Sequence, residues 1–299
     1  MQIRREDRQR NDERLFALKD LHCGERCFII GNGPSLAVAD LDRLQNEITF
    51  ASNRITLAFH ETRWRPTYYT LCDAVVARSN EAMVRALPMT KVFGDFVRPI
   101  FHNDPNAVFL NRPRRGDGPE AGMERGTASG LGTGAKRFLA SVVYAATSPA
   151  RPSREIQSVI DDRAIPTGWN LLRGARTGHS VVNLSLKAAY WMGIREVYVL
   201  GVDHDFVLPA SGPVDVVGGD EVYVSAGEQN HFHAEYRKPG EAWTYPKLET
   251  IAEEFGNARS VFEAAEGCIK NASRSTKLDV WERVNLDDVL GETGPASLS

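Results

Sequence analysis

Short runs of apolar residues recur along the chain, and most of them end on glycine or on polar residues. The first, "RCFII" at 26–30, is nearly all apolar, as expected for a strand that is buried on both faces of a parallel sheet. Similar runs predict further strands at 48–51 and within "PTYYTLCD", "KVFGDF", "AVFLN", "REVYVLG" and "CIKNAS".

Amphipathic stretches lie between these runs and predict helices. In the clearest of them Leu184, Ala188 and Trp191 recur at helical spacing, and Gly193 follows as a terminating residue. Helices are also expected around "LDRLQ", over "AVVARSNEAMVRAL" and over "YPKLETIAEEFGNARSVFEAAEG". This alternation predicts the α/β class, with an open, mostly parallel, Rossmann-like sheet, helices on both faces and an irregular lid region.

The chain divides into a charged N-terminal helix, one large domain and a short tail. Residues 1–20 hold charges of both signs and predict a helix whose outer face is solvated or contacts a second copy. Residues 21–290 predict a single α/β domain, and 291–299 are expected to be frayed. Within the domain, the glycine- and arginine-rich residues 112–136 predict a flexible loop, and 207–240 predict a lid or active-site loop.

Composition is that of a folded globular chain and argues against two classes of protein. Apolar residues make up 42% and charged residues 25% of the 299 residues. The net charge of −3 argues against a protein that grips bulk nucleic acid. No apolar stretch approaches the roughly 20 residues that span a bilayer, and the N-terminus lacks the apolar core of a secretory signal. We expect a cytoplasmic protein; peripheral contact with the inner face of the membrane and homo-oligomerisation stay open.

Four cysteines occur in the chain, and they form no zinc-type C-x2-C pair. A disulfide framework is not expected in a cytoplasmic protein. We therefore predict free, mostly buried thiols at Cys23, Cys27, Cys72 and Cys268.

Ligands of open α/β sheets bind beyond the carboxyl ends of the strands, so the residues after each predicted strand form the candidate site. These positions are rich in Asn, Arg, Asp and His and contain few Lys or Glu. This composition is better evidence of a binding site than polarity alone. In chain order they are Gly31, Asn32, Gly33, Pro34, Ser35, Asn53, Arg54, Asp73, Asp203, His204 and Asp205.

The stretch "GNGPS" at 31–35 has two interpretations. It is either an ordinary tight turn or a loop whose backbone amides a ligand can approach, since Gly31 and Gly33 carry no Cβ. Pro34 suits the first position of a helix, which would direct free amides and a positive dipole end at an anion. The stretch matches neither the Gly-x-Gly-x-x-Gly nor the Walker A pattern, so both interpretations stay open.

A second candidate anion site is "RTGHS", which precedes the helix that begins near 181. Thr177 or Ser180 can cap that helix, and Gly178 loosens the turn before it. Arg176 can bind a phosphate through two nitrogens. Plain helix capping explains the same residues equally well.

Two histidines lie in the polar loop, and three explanations compete for them. His231 can act as a general base that takes a proton from an acceptor hydroxyl, because an unperturbed imidazole titrates near neutral pH. Alternatively, His231 and His233 bind a metal together with a residue of 203–205, or both lie at the surface without a role. Tyr223 and Tyr236 can donate hydrogen bonds to a departing phosphate.

Several of these pieces form one ordered series: "FIIGNGPSL", Asn53, "GHSVVNLSLKAAYWMGIREVYVLGVDHDF", "NHF" and "IKNAS". The series resembles two related groups over residues 20–290, with 112–165 least matched. One is the bacterial sialyltransferases of glycosyltransferase family 42, which share the Gly-Asn-Gly-Pro-Ser-Leu opening. The other is the 6-hydroxymethylpterin diphosphokinase MptE-like family, which shares the Gly-x-Ser-Val helix start and the Gly-x-Asp strand end.

The sialyltransferase resemblance implies a CMP-sugar donor and a hydroxyl acceptor, with no obligatory metal. It would place Asn32, Ser35 and Asn53 on the nucleotide and tyrosines on its phosphate. His231 would be the base that activates the acceptor. The "NHF" segment fits this group better, whereas Asp73 stands where these enzymes have Asn.

The MptE-like resemblance implies ATP, Mg²⁺ and transfer of diphosphate to 6-hydroxymethylpterin or a similar alcohol, with Asp73 and Asp203 as metal ligands. "GHSVV" fits this family better. We predict a nucleotide-dependent transferase and favour a sialyltransferase-like glycosyltransferase of cell-surface glycan biosynthesis over the diphosphokinase; a non-catalytic nucleotide-binding protein is the third hypothesis. The predicted nucleotide-binding residues are Gly31, Asn32, Gly33, Pro34, Ser35, Asn53, Arg54, Asp73, Arg176, Thr177, Gly178, Ser180, Asp203 and Tyr223.

Overall fold

A parallel sheet of eight strands forms the centre of the computed structural model, which describes residues 5–113, 152–217 and 220–291. A second sheet of three antiparallel strands lies beside it. The strands are β1 Arg26–Ile30, β2 Ile48–Ser52, β3 Tyr68–Leu71, β4 Thr90–Phe93, β5 Ala107–Phe109, β6 Glu196–Leu200, β7 Asp215–Val217, β8 Asp220–Val224, β9 Ala242–Thr244, β10 Cys268–Asn271 and β11 Glu282–Arg283.

Helices connect most of these strands. They are α1 Arg5–Ala17, α2 Val38–Asp42, α3 Ala74–Ser79, α4 Glu81–Ala86, α5 Arg98–Phe101, α6 Arg154–Asp161, α7 Val181–Trp191, α8 Leu248–Ala264 and α9 Leu286–Leu290. Short 3₁₀ turns occupy Ile55–His60, Asp95–Val97 and Ala234–Tyr236.

Both faces of the large sheet are covered, which is why its strands are apolar at successive positions. In β1, Cys27 and Ile29 lie in one core cluster, whereas Phe28 and Ile30 lie in the other. Residues of α1, α6, α7 and α8 belong to the first cluster, and residues of α2, α3, α4, α5 and α9 belong to the second. The predicted Rossmann-like α/β class is therefore confirmed.

The strand order locates the crevice where such sheets bind ligands. It runs β11–β10–β6–β1–β2–β3–β4–β5, so the chain proceeds from β1 to one edge and then returns to pair β6 with the other side of β1. The order reverses between β1 and β6. Ligands of open α/β sheets bind outside the carboxyl ends of the strands at such a point.

Helix α1 is firmly attached to the sheet. The Asn11 side chain donates to the carbonyl of Phe109 (2.9 Å) and accepts from the amide of Phe109 (2.8 Å) in β5. Leu15 is fully buried, and its carbonyl accepts from the Trp191 indole at 2.7 Å. One face of this charged helix is therefore core, although its sequence carries little apolar periodicity.

Several predictions of local structure were incomplete. The stretch 207–240, predicted to be irregular, contains β7 and β8, which form an antiparallel sheet with β9. The helix expected over 74–87 is broken at Asn80, and α5 and α6 were not predicted. The thiols are free, but the prediction that most are buried was wrong, because Cys27 is buried, Cys23 is exposed and the other two are half-buried.

Parts of four predicted segments lie outside the described residues, namely 1–4 of the N-terminal helix, 114–136 of the glycine-rich loop, 218–219 of the lid or active-site loop and 292–299 of the tail. Across the described ranges, no helix has the length and apolarity needed to cross a membrane.

Candidate active site

The ends of β1 and β6 are joined directly by their backbones. Gly31 N donates to Leu200 O at 2.7 Å, and Gly33 N donates to Gly201 O at 2.8 Å. A Cβ on Gly31 would overlap with the carbonyl oxygen of Gly201, and one on Gly33 would lie 2.6 Å from Asp203 Oδ2. Both glycines are thus required by the close approach of the β6 loop.

The amide of Ser35 is bonded to a carboxylate of the chain itself. Ser35 N donates to Asp203 Oδ2 at 2.7 Å, and the Ser35 hydroxyl donates to Asp203 Oδ1. Burial raises the pKa of Asp203, and the bonds from Ser35 oppose that rise. The expectation that Pro34 begins a helix is wrong: Pro34 lies in a turn, and the next helix begins at Val38 and has five residues.

The start of α7 is bonded to a carboxylate in the same manner. Ser180 caps the helix by accepting from Val182 N at 3.2 Å. Glu254 of α8 accepts from His179 N at 2.9 Å, and its other oxygen lies 3.0 Å from His179 Nδ1. Gly178 has a φ of +69°, and a Cβ there would overlap with the Glu254 carboxylate.

Of the two residues before this turn, Thr177 lies against the end of β4 and Arg176 is bonded to α7. Thr177 is buried, and its methyl group would touch a Cβ placed on Gly94, which follows β4. Arg176 is half-buried, and its carbonyl accepts from Lys187 Nζ at 2.7 Å.

Asp73 acts as the N-cap of α3. It is exposed and accepts from the amides of Val75 (2.6 Å) and Val76 (3.2 Å). β3, which it follows, lies three strands from β6, so Asp73 is about 14 Å from the Asp203 loop at ordinary strand spacing. This separation gives no support to Asp73 and Asp203 as joint ligands of one Mg²⁺, and the described residues contain no group of three His, Cys, Asp or Glu that could hold a metal.

Two asparagines at the ends of β1 and β2, of which Asn32 is buried and Asn53 is half-buried, have unused hydrogen-bonding capacity. Asn32 donates through Nδ2 to Ser52 O (3.3 Å) and Ser52 Oγ (3.2 Å), but its Oδ1 accepts nothing from the described residues. Asn53 Oδ1 is also buried without a donor among them, and Asn53 has a φ of +53°. Its carbonyl accepts from the Tyr69 hydroxyl at 2.6 Å.

The segment after β8 crosses over these asparagines and places His231 beside them. Phe232 N donates to Asn32 O at 3.0 Å. The His231 ring stacks on Tyr236, with 3.7 Å between ring centroids and 7° between planes. Tyr236 is buried, and its hydroxyl lies beside the Asn53 amide. The structure thus places Asn32, Asn53 and His231, three of the predicted site residues, close to one another.

His231 does not have the unperturbed imidazole that its sequence context suggested. Burial, followed by the charges of Arg237 and Arg54, lowers the pKa of His231 to about 3. Its neighbour His233 instead caps the turn at 234–236 by accepting from Glu235 N at 3.1 Å.

Arg54 and Arg237 bring positive charge to this group. Arg54 Nη1 donates to the carbonyl of Tyr236 and lies 3.5 Å from Glu241 Oε2. Arg237 lies over the Trp243 ring at 4.4 Å from its centroid, and its Nη1 is buried with no hydrogen-bond partner in the described ranges. A cleft of about 250 Å³ adjoins Arg54. Sequence reasoning missed Arg237, because a single arginine in a polar loop carries no signal until its burial is known.

Tyr223 belongs to an aromatic cluster next to this group. It is buried, its hydroxyl donates to Glu221 Oε2 at 2.8 Å, and its ring lies 5.5 Å from that of Trp243. Phe206 connects the cluster to His231, with 6.5 Å between their ring centroids. The Tyr223 hydroxyl is therefore engaged within the antiparallel sheet.

No protein-family model and no curated protein matches the chain. Among solved structures, the MAf glycosyltransferase from Magnetospirillum magneticum AMB-1 is similar to it, with a TM-score of 0.46 and 14% sequence identity. The match covers 94% of this chain and 38% of that protein, so the chain spans well under half the length of the glycosyltransferase. A similarity of this extent identifies no family for the chain.

Proposed function

We propose that the protein is a nucleotide-dependent transferase that passes a sugar from a sugar nucleotide to a hydroxyl acceptor. The observation that carries this proposal is a pair of buried oxygens beside the switch point of the sheet, Asn32 Oδ1 and Asn53 Oδ1, which lack donors among the described residues. A buried acceptor without a donor costs free energy. Such oxygens suit a ligand that offers N–H or O–H groups, as a nucleobase amino group and ribose hydroxyls do.

In this proposal His231 takes the proton of the acceptor hydroxyl. Its imidazole is neutral at pH 7, as a base must be, but burial and the nearby charges of Arg237 and Arg54 lower its pKa to about 3, which makes it a weak base. This weakness favours a second candidate, in which the same residues bind a nucleotide and transfer nothing.

The diphosphokinase remains the alternative transferase reaction. It requires Mg²⁺, and the roughly 14 Å between the ends of β3 and β6 gives no support to Asp73 and Asp203 as joint ligands. Under that alternative, ATP would be bound with a metal held chiefly by its own phosphates.

A thermal-shift series with CMP, CDP, UDP, GDP, ADP and ATP, each with and without Mg²⁺, tests the proposal. A ligand that binds the native state raises the melting temperature. We expect a response to one of the pyrimidine or guanine nucleotides without metal, followed by turnover of the matching sugar nucleotide. A response to ATP that needs Mg²⁺ would replace this proposal with the diphosphokinase.

The His231→Phe variant separates the two remaining candidates, because phenylalanine can keep the stack on Tyr236 but cannot accept a proton. We expect nucleotide binding to persist and turnover to fall at least 100-fold, a typical contribution of general base catalysis, roughly 10²–10⁴. Nucleotide binding without any sugar transfer by the wild-type protein would establish the non-catalytic candidate.

A further inference from the structure

We propose that Arg54 and Arg237 together form the binding site for the phosphate groups of the donor, and that Glu241 occupies this site until the phosphate arrives. The inference deepens the proposed function, since it names the part of the donor that these residues bind. It does not depend on which nucleotide carries the phosphate.

Arg237 is the first reason. Its guanidinium is held over the Trp243 ring, and its Nη1 is buried without an acceptor from the described residues. Burial lowers the pKa of Arg237 and the charge of Arg54 adds to the lowering, whereas Tyr236, Glu241 and Glu228 oppose it. Arg237 is half-buried, and withdrawing a cation from water without a hydrogen-bonded anion is costly, so an anionic ligand would stabilise it.

Arg54 is placed to share the same anion. Its guanidinium lies 5.9 Å from the centroid of the Tyr236 ring, and Tyr236 directly precedes Arg237. Glu241 Oε2 lies 3.5 Å from Arg54 Nη1, and the Glu241 side chain is 39% exposed. An ion pair this long and exposed is weak, so a phosphate with several charges can displace the carboxylate into solvent.

The other two places expected to bind an anion are already filled. Asp203 accepts from the amide and hydroxyl of Ser35, and Glu254 accepts from the amide of His179 at the start of α7. Arg237 differs from both because its buried nitrogen still lacks an acceptor.

Anion binding at this site would also change the pKa of His231. The charged groups that lower its pKa are Arg237, on the same segment, and Arg54, at the end of β2; Tyr236 is stacked against the ring. A bound phosphate neutralises both guanidinium groups, so the imidazole becomes a stronger base when the donor is present. Binding of the donor thereby prepares the base that the proposed transfer needs.

Inorganic pyrophosphate is the probe for this site, with affinity measured by calorimetry. We expect Arg237→Gln to weaken pyrophosphate binding at least about tenfold, because a charge-assisted hydrogen bond is lost. We expect Glu241→Gln to tighten it severalfold. Arg163→Gln is the matched control: Arg163 is exposed in the loop after α6, and its loss changes the net charge equally.

Equal pyrophosphate binding by the wild-type and Arg237→Gln proteins, or no binding by the wild type, overturns the inference. If Arg237→Gln does not fold, the Glu241→Gln result decides. Pyrophosphate binding that depends on Arg237, without binding of any nucleotide, would keep the phosphate site and reject the proposed function. Nucleotide binding that is unchanged in Arg237→Gln would keep the proposed function and reject the phosphate site.

Nuclear magnetic resonance of the histidine rings provides a readout that a merely structural role would not move. The His231 signal is assigned by its absence from His231→Phe. We expect saturating pyrophosphate to raise the pKa of His231 in the wild type, and Arg237→Gln to raise it without ligand. An unchanged His231 titration in both cases would contradict the coupling.

Discussion

Two neighbouring parts of the carboxyl edge hold the same kinds of polar residue and use them differently. At the β1–β6 junction and at the start of α7, the groups that suit an anion are bonded to Asp203 and Glu254 of the chain. At the ends of β1 and β2, the side chains of Asn32 and Asn53 keep buried oxygens without donors from the described residues, and Arg237, in the segment that crosses over them, keeps a buried nitrogen without an acceptor from those residues. Backbone geometry that suits an anion can thus be satisfied by a carboxylate of the chain itself. Buried polar atoms without hydrogen-bond partners are the better indication of a ligand site.

The largest expected effect on stability concerns the glycines at the β1–β6 junction. Gly31→Ala should destabilise the protein by about 3 kcal/mol, at the upper end for overpacking, because its Cβ would overlap with the rigid backbone of Gly201. Urea unfolding measures this change. The control is Gly256→Ala in α8, where a Cβ meets nothing within 4 Å and a gain of roughly 0.5–1 kcal/mol is expected. If Gly31→Ala is as stable as the wild type but no longer binds nucleotide, then Gly31 is needed for the ligand and not for the fold. That result would contradict the comparison between the two parts of the edge.

The second effect tests the burial of His231 beside the two arginines. Its folded pKa of about 3 lies below the unfolded value near 6.5. The unfolded state therefore takes up the proton first, and this part of the stability is lost as the pH falls from about 6.5 towards 3. Between pH 7 and pH 5 the loss is about 2 kcal/mol.

Urea unfolding at both pH values should show this loss in the wild type and not in His231→Phe, whose other titrating groups are the same. Equal losses in the two proteins would show that the imidazole is hydrated and that this part of the edge is not buried as described.

A smaller effect is expected at the start of α7. Glu254→Gln should cost about 1 kcal/mol, because the hydrogen bonds from the His179 amide lose their charged acceptor. The control is Glu253→Gln, one residue away and exposed, with a change near zero. If Glu254→Gln instead binds nucleotides more tightly than the wild type, the carboxylate competes with a ligand, and the two parts of the edge form one site.

The smallest effect on stability should accompany a large effect on binding. Asn53→Gly should cost roughly 0.5 kcal/mol, because the ease with which glycine adopts the φ of +53° offsets part of the loss of the hydrogen bond between the Asn53 amide and the Tyr236 hydroxyl. Its nucleotide affinity should nevertheless fall about tenfold. Glu266→Gly, at an exposed position with a φ of +57°, is the control for the backbone effect and should leave binding unchanged.

The sequence predicted seven of the eight strands of the large sheet because their signal is local, and it missed β11, whose two residues are charged and exposed. Each buried parallel strand, such as "RCFII" and "EVYVL", is apolar on both faces and is followed by glycine or polar residues. The antiparallel sheet was missed because β7 and β9 are short, and Val216 in β7 is exposed, so no apolar run marks them.

The location of the candidate site at the strand ends could be predicted from the sequence, but the hydrogen bonds of its residues could not. Strand order brings Asn32 beside Asn53, and this follows from the α/β pattern. Which anion-binding groups are already satisfied depends on Asp203 and Glu254, which lie 168 and 75 residues from their partners along the chain. The low pKa of His231 depends on burial under a segment whose course the sequence did not indicate.

The side-chain amide of Asn11 presents an N–H and a C=O side by side, as a peptide group does. By bonding both backbone groups of Phe109, it takes the place of a further strand along the outer side of β5. An open edge of a sheet can recruit strands from other molecules. The charged N-terminal helix therefore limits the growth of the sheet, and a protein lacking this helix would expose β5 to intermolecular pairing and aggregation.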